Sequence, residues 1–140
     1  MTIDQAFRAL ILTSEDVTDL IGDRLEVGTN TIDLRKDLPK AVYTCIDDEE
    51  EYDDDGLVGI AKALYQIDVF AVHHADANAI LSAIAAVFED EDTFPYTNED
   101  IEIVRVFRKS RQHDQTQKTA GAETGLKRIS RDFRVMYRVR

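Results

Sequence analysis

The sequence predicts an α+β fold: an antiparallel β-sheet of about five strands with two main helices packed on one face, in the order α-β-β-β-α-β-β. Three observations carry this reading. Ile60–Val72 alternates, with Ala61, Ala63, Tyr65, Ile67, Val69 and Ala71 forming an unbroken apolar set. The intervening set, Lys62, Leu64, Gln66, Asp68 and Phe70, is mixed, as in a long strand with one face on a core and the other partly wet. After a turn at His73-His74 the period changes to that of a helix, and Ala77, Ile80, Leu81, Ile84, Val87 and Phe88 recur on one face of Ala75–Phe88. From Leu126 to Arg140 alternation resumes, with Ile129, Phe133, Val135, Tyr137 and Val139 against Arg128, Arg134 and Arg138. Burying such side chains contributes about 1.5–3 kcal/mol each before entropy is counted, so the terminus is a strand of the sheet.

The remaining elements follow in chain order. Ile3, Phe7, Leu10 and Ile11 share a helical face over residues 3–13, with Thr2 as N-cap. Ser14 caps a second short turn containing Val17, Leu20 and Ile21, which Gly22 closes. Arg24–Val27 alternates as a short strand, and Gly28, Asn30 and Pro39 mark a loop over 28–38 where a partner could be touched. Ala41–Ile46 reads as a strand with Cys45 as a buried thiol, and Pro39 is acceptable ahead of it. Between Asp47 and Gly56 eight of ten residues are acidic, which predicts a solvated, mobile connection to the strand beginning at Leu57. Glu89–Asp92 is a second acidic turn, and Ile101–Arg108 is a strand. Residues 112–125 are polar, small and glycine-bearing, and predict a flexible hairpin arm. The whole reads as one domain, 1–140, with the 47–56 loop and the 112–125 arm disordered in a monomer and ordered by neighbours.

Length and composition fit this. A chain of 140 residues with 44% apolar content buries a real core. No apolar run nears the roughly 20 residues that cross a bilayer, and no basic cluster precedes the first apolar residues, so a soluble protein made in a cytoplasm is expected. One cysteine excludes an internal disulfide.

Recognised chemistry is sparse. His73 and His74 with Asp68 and Asp76 lack the spacing of a metal site, and adjacent residues on an extended segment point to opposite faces. They read as a polar turn, with Asp76 well placed in the first turn of the helix. The acid run lacks the glycine and closing glutamate of a calcium loop. Gly56 and Gly59 do not make a phosphate cradle, and Ser82 and Ser130 have no nucleophile elbow. Carboxylates in solvated loops lack the burial that raises a pKa for acid catalysis. No catalytic residue, cofactor or metal is expected.

The charge distribution says more than the net −11. Residues 1–104 hold 25 acids and 6 bases, whereas 105–140 hold 3 acids and 11 bases. Arg128, Arg134 and Arg138 line one strand, and Arg105, Arg108, Lys109 and Arg111 the preceding one. This face could follow a phosphate backbone, or stand solvated, or meet the acidic residues of another subunit head to tail. The third reading fits the gradient best and names an interface: Arg105, Arg108, Arg128, Arg134 and Arg138 against Asp47, Asp48, Glu49, Glu50, Asp53, Asp54 and Asp55. It expects reversal of Arg128, Arg134 and Arg138 to glutamate to spare the fold and block assembly.

Six stretches in this order, Ala6–Leu12, Val17–Arg24, Leu38–Thr44, Ala63–Ala71, Ala75–Phe88 and Ile129–Tyr137, resemble the tail-completion or tail-terminator proteins of long-tailed phages, prophages and gene-transfer agents. The resemblance implies a non-enzymatic virion subunit, made in the host cytoplasm, that forms a homo-oligomeric ring, commonly a hexamer, on the head-proximal end of the tail tube. Its partners would be the tail tube protein and a head or neck connector, with DNA only passing through the lumen and no membrane involved. Whether the acidic segment faces the lumen, a neighbour or solvent stays open. The competing class is a non-enzymatic binding or regulatory module, for a small ligand held between sheet and helix or for weak nucleic-acid contact.

Overall fold

A computed structural model of the chain describes residues 2–28, 38–53, 56–109, 113–117 and 126–139. Three helices cover one face of a mixed sheet: α1 Ile3–Leu12, α2 Glu15–Ile21 and α3 His74–Glu89. The strands are β1 Leu25–Val27, β2 Lys40–Asp53, β3 Gly56–Ala71, β4 Tyr96–Asn98, β5 Ile101–Arg108, β6 His113–Gln117 and β7 Leu126–Val139. Their order is β1-β2-β3-β7-β5-β4, with β6 pairing β7 beside β5. The fold is α+β as expected, but the sheet holds seven described strands rather than about five. It is also mixed, because β1 runs parallel to β2.

Local chemistry explains the helix ends. Thr2 and Gln5 form a reciprocal capping box on α1, the Thr2 hydroxyl accepting from Gln5 N and the Gln5 side chain from Thr2 N. The Ser14 hydroxyl accepts from Val17 N to start α2, and Gly22 leaves it at φ +61°, a value that favours glycine. The second helix is therefore a full element rather than a turn. α3 begins one residue earlier than the periodicity indicates, with His73 at its N-cap, and Asp76 lies in its first turn.

The core lies between helices and sheet. Phe7 stacks on Tyr65 at 4.4 Å and on Phe88 at 5.5 Å, and Phe88 meets Phe133 edge-on at 4.8 Å, tying α1 and α3 to β3 and β7. Ala61, Ala63, Tyr65, Ile67, Val69 and Ala71 are all buried on this side, as their alternation requires. Ile129, Phe133, Val135 and Tyr137 join them, but Val139 does not: at the end of its strand it is 64% exposed. The opposite face is drier than its polarity implies, since Asp68 and Phe70 are buried.

One expectation about the connections is corrected. The acidic run is not a loop from Asp47: β2 continues to Asp53 and pairs with β3 throughout, with irregularities between Cys45 and Asp47 and between Glu50 and Tyr52. Within the expected 112–125 hairpin arm, His113–Gln117 forms β6, which pairs antiparallel with Leu126–Ser130 of β7 as a hairpin requires. The loop expected at 28–38 lies mostly outside the described residues, as do Asp54, Asp55, Arg111, Gln112 and residues 118–125.

Candidate assembly surface

The bulge at Ile46 determines how the acidic run is presented. Before it Ala41, Tyr43 and Cys45 share the core-facing side, paired with Val69, Ile67 and Tyr65; after it Asp48 takes that side, opposite Ala63. Asp47, opposite Leu64, and Glu49, opposite Lys62, fall on the far side. Asp47, Asp48 and Glu49 are exposed, and Glu50 and Asp53 continue the same strand. Cys45 is exposed too, not buried, at the last paired position before the bulge.

A rim of polar groups closes this end of the core. Tyr65 donates its hydroxyl to Asp4, and Tyr137 donates to Asp48 Oδ1 at 2.7 Å, so one acid of the run is tied back to β7. Burial first, and then the bond to Asp4 and its charge, raise the Tyr65 pKa. Burial, with Asp4 and Asp48 nearby, likewise raises that of the Cys45 thiol, the opposite of an activated nucleophile.

The basic residues divide into committed and outward-facing groups. Arg128 donates from Nε and a terminal nitrogen to Asp68 Oδ1 at 3.1 and 3.0 Å, and the carboxylate also accepts from Gln66 and Ser130. Arg138 Nε lies 3.1 Å from Glu102 Oε2. Both arginines thus hold buried carboxylates of their own chain, and reversing Arg128 would place two carboxylates together, so the expectation that this leaves the fold untouched is withdrawn. Arg105 is half-buried with its guanidinium 5.9 Å from the ring centres of both Phe94 and Phe107, and Arg108 is exposed at the end of β5. Arg134 lies on the far face of β7 between Leu64 and Phe107. Burial, reinforced by the Arg108 charge, lowers the pKa of Arg131.

The structure therefore separates the candidate residues across one sheet: Asp47, Asp48, Glu49, Glu50 and Asp53 on β2, Arg105 and Arg108 on β5, and Arg128, Arg134 and Arg138 on β7. It does not bring the two groups together within the subunit. Sequence reading missed Asp68 and Glu102 as the partners of Arg128 and Arg138; for Asp68, a lone acid amid an apolar strand pattern was the available signal. His73 and His74 fall at the start of α3, and among the described residues no three metal-ligating side chains gather. The space between sheet and helices is filled by core side chains. A cleft of about 320 Å³ lies outside it, between the α1–α2 junction and α3, lined by Thr13, Ser14, Asp16, Val87, Asp90 and Thr93 among others.

The chain is thus a small α+β fold whose candidate acidic and basic residues lie on different strands of one sheet. Residues 5–138 match the family described as Tail completion protein gp17, and the chain belongs to that family. It is a bacteriophage structural protein of the virion tail region. Among solved structures, a chain of a structure titled "Virion of native gene transfer agent (GTA) particle" shares the fold, with a TM-score of 0.62 and 13% identity over 97% of this chain and 94% of that one. No curated protein matches the sequence significantly. No described helix is long and apolar enough to cross a membrane.

Proposed function

We propose that copies of this chain assemble head to tail into a ring, six in number by the family resemblance, that caps the head-proximal end of the tail tube. The ring stops tube polymerisation and presents the surface that joins the neck. One observation carries the reading: acidic side chains occupy β2 toward one margin of the sheet, and basic ones gather on β5 and β7 toward the other. A surface divided in this way is complementary to a copy of itself through a heterologous contact, which closes when the rotation permits. The match to a tail-completion family and the fold shared with a virion chain support the setting.

In this reading the tail tube protein and a neck connector are the partners, and DNA passes through the lumen without a specific site. The test is deletion of the gene in the particle-producing cell. The expected result is tubes of irregular length and heads left without tails, both restored by the gene in trans. Joined particles with tubes of uniform length in the deletion strain would refute the proposal.

A further inference from the structure

Among the described strands, the sheet has two edges without a partner strand, and they lie in the same rows. Among the described residues β1 pairs with β2 only at Ala41–Tyr43, and β4 with β5 only at Ile101–Ile103. No described strand pairs with the outer edge of β2 from Thr44 onward or of β5 from Val104 onward. Following the register across the sheet, Glu49, Lys62, Met136 and Arg105 form one row, and Asp47, Leu64, Arg134 and Phe107 another. Cys45, Tyr65, Phe133 and Arg108 form a third. Where one edge lacks a described partner strand, so does the other.

An open strand edge is a template for another strand, and charge usually blocks it. Here the charge is of opposite sign on the two edges. Asp47, Asp48 and Glu49 oppose pairing of β2 with β2, and Arg105 and Arg108 oppose pairing of β5 with β5, but a β5 edge meeting a β2 edge is favoured. Each edge also carries an exposed apolar side chain, Ile46 (53%) on β2 and Phe107 (47%) on β5, two of the five large apolar residues exposed in the described structure.

Topology sets the direction. Between the edges lie four strands, β2, β3, β7 and β5, each antiparallel to the next. Because four is even, a rotation that carries the β5 edge of one copy to the β2 edge of the next makes that junction antiparallel as well. Resting on the ring reading above, we propose that subunits join by strand addition, residues 104–109 of one copy pairing with 44–50 of the next, so that one sheet continues from subunit to subunit around the ring.

The test reverses each edge and then both, in cells lacking the native gene. Asp47→Lys with Glu49→Lys, or Arg105→Glu with Arg108→Glu, should each lower the amount of chain recovered in purified particles by about tenfold or more, since like charges then face across every junction. The chain carrying all four changes, and co-expression of the two reversed chains, should recover assembly. Reversals without effect, or a four-change chain no better than its parents, would overturn the strand pairing.

Should a reversed chain fail to fold by circular dichroism, cross-linking decides. Arg108→Cys lies in the row and on the face of native Cys45, so oxidised particles should give a ladder of linked chains beyond the dimer. Adding Cys45→Ser should abolish every species above dimer. Particles that contain the Arg108→Cys chain but yield no ladder would also overturn the pairing. Copy number in native particles keeps the two proposals distinct: several copies with unaffected reversals leaves the ring standing without strand addition, and a single copy removes both.

Discussion

At the scale of single residues, the positions that hold this subunit together are polar groups buried with named partners. Asp68 is the clearest: 7% exposed, it accepts from Arg128, Gln66 and Ser130. Removing Arg128 strands a buried carboxylate with two neutral donors, so Arg128→Ala should cost about 2–4 kcal/mol in denaturant unfolding. Arg128→Ala with Asp68→Asn should cost less than the sum of the single changes, because the second removes the charge the first left uncompensated. Tyr65 makes a pH prediction. Its pKa is raised in the folded state, chiefly by burial, so above the ordinary phenol value the unfolded chain loses a proton that the folded chain keeps. Stability should therefore fall as pH rises above about 10, by about 1.4 kcal/mol per pH unit from this group. Tyr65→Phe should lose that contribution, so a slope unchanged in the variant, measured by denaturant titration, would show that Tyr65 is not its source.

At the scale of elements, what could be read from the sequence depended on how much period each segment displays. α1, α3, β3 and β7 run for 10 to 16 residues with one buried face, so their spacing declared them. β1 and β4 have three residues each, too few for a period, and the parallel pairing of β1 with β2 is a long-range fact that local pattern does not hold. The extension of β2 was hidden for a physical reason. Acidic runs usually mark loops because packed faces exclude charge, but here Asp47, Asp48 and Glu49 are exposed while their backbone pairs with β3. The candidate surface was legible as opposed charge and illegible as geometry: nothing local couples Arg128 to Asp68, or sets Glu49 in line with Arg105. The β1–β2 pair depends on Gly28, whose amide donates to the Tyr43 carbonyl at 2.8 Å. A Cβ there would lie 2.0 Å from Thr44 Oγ1 and 3.1 Å from Thr44 Cβ. Gly28→Ala should destabilise the chain by about 1–3 kcal/mol, and Thr44→Gly in the same chain should recover part of the loss. Equal melting temperatures for Gly28→Ala and the native chain would mean that the strands separate there at little cost.

At the scale of the whole molecule, the layout sets two parts of any self-association against different variables. The charges of β2 and β5 are exposed or half-buried at opposite margins, so they act at a distance, orienting one copy toward the complementary edge of another. Backbone pairing and the contact of Ile46 and Phe107 act only after docking and depend little on ions. Raising salt from 0.05 to 0.5 M shortens the screening length from about 14 to about 4 Å, so the association rate should fall by roughly tenfold or more while the dissociation rate changes little. Arg105→Glu with Arg108→Glu should associate slowly at low salt and lose this slope or invert it. Stopped-flow light scattering on the purified chain, or its rate of addition to isolated tubes, separates the two rates. A dissociation rate that carries the salt dependence would mean that the charges hold the finished joint together rather than guide its formation, and the strand edges would then contribute less to its lifetime than the ion pairs across them.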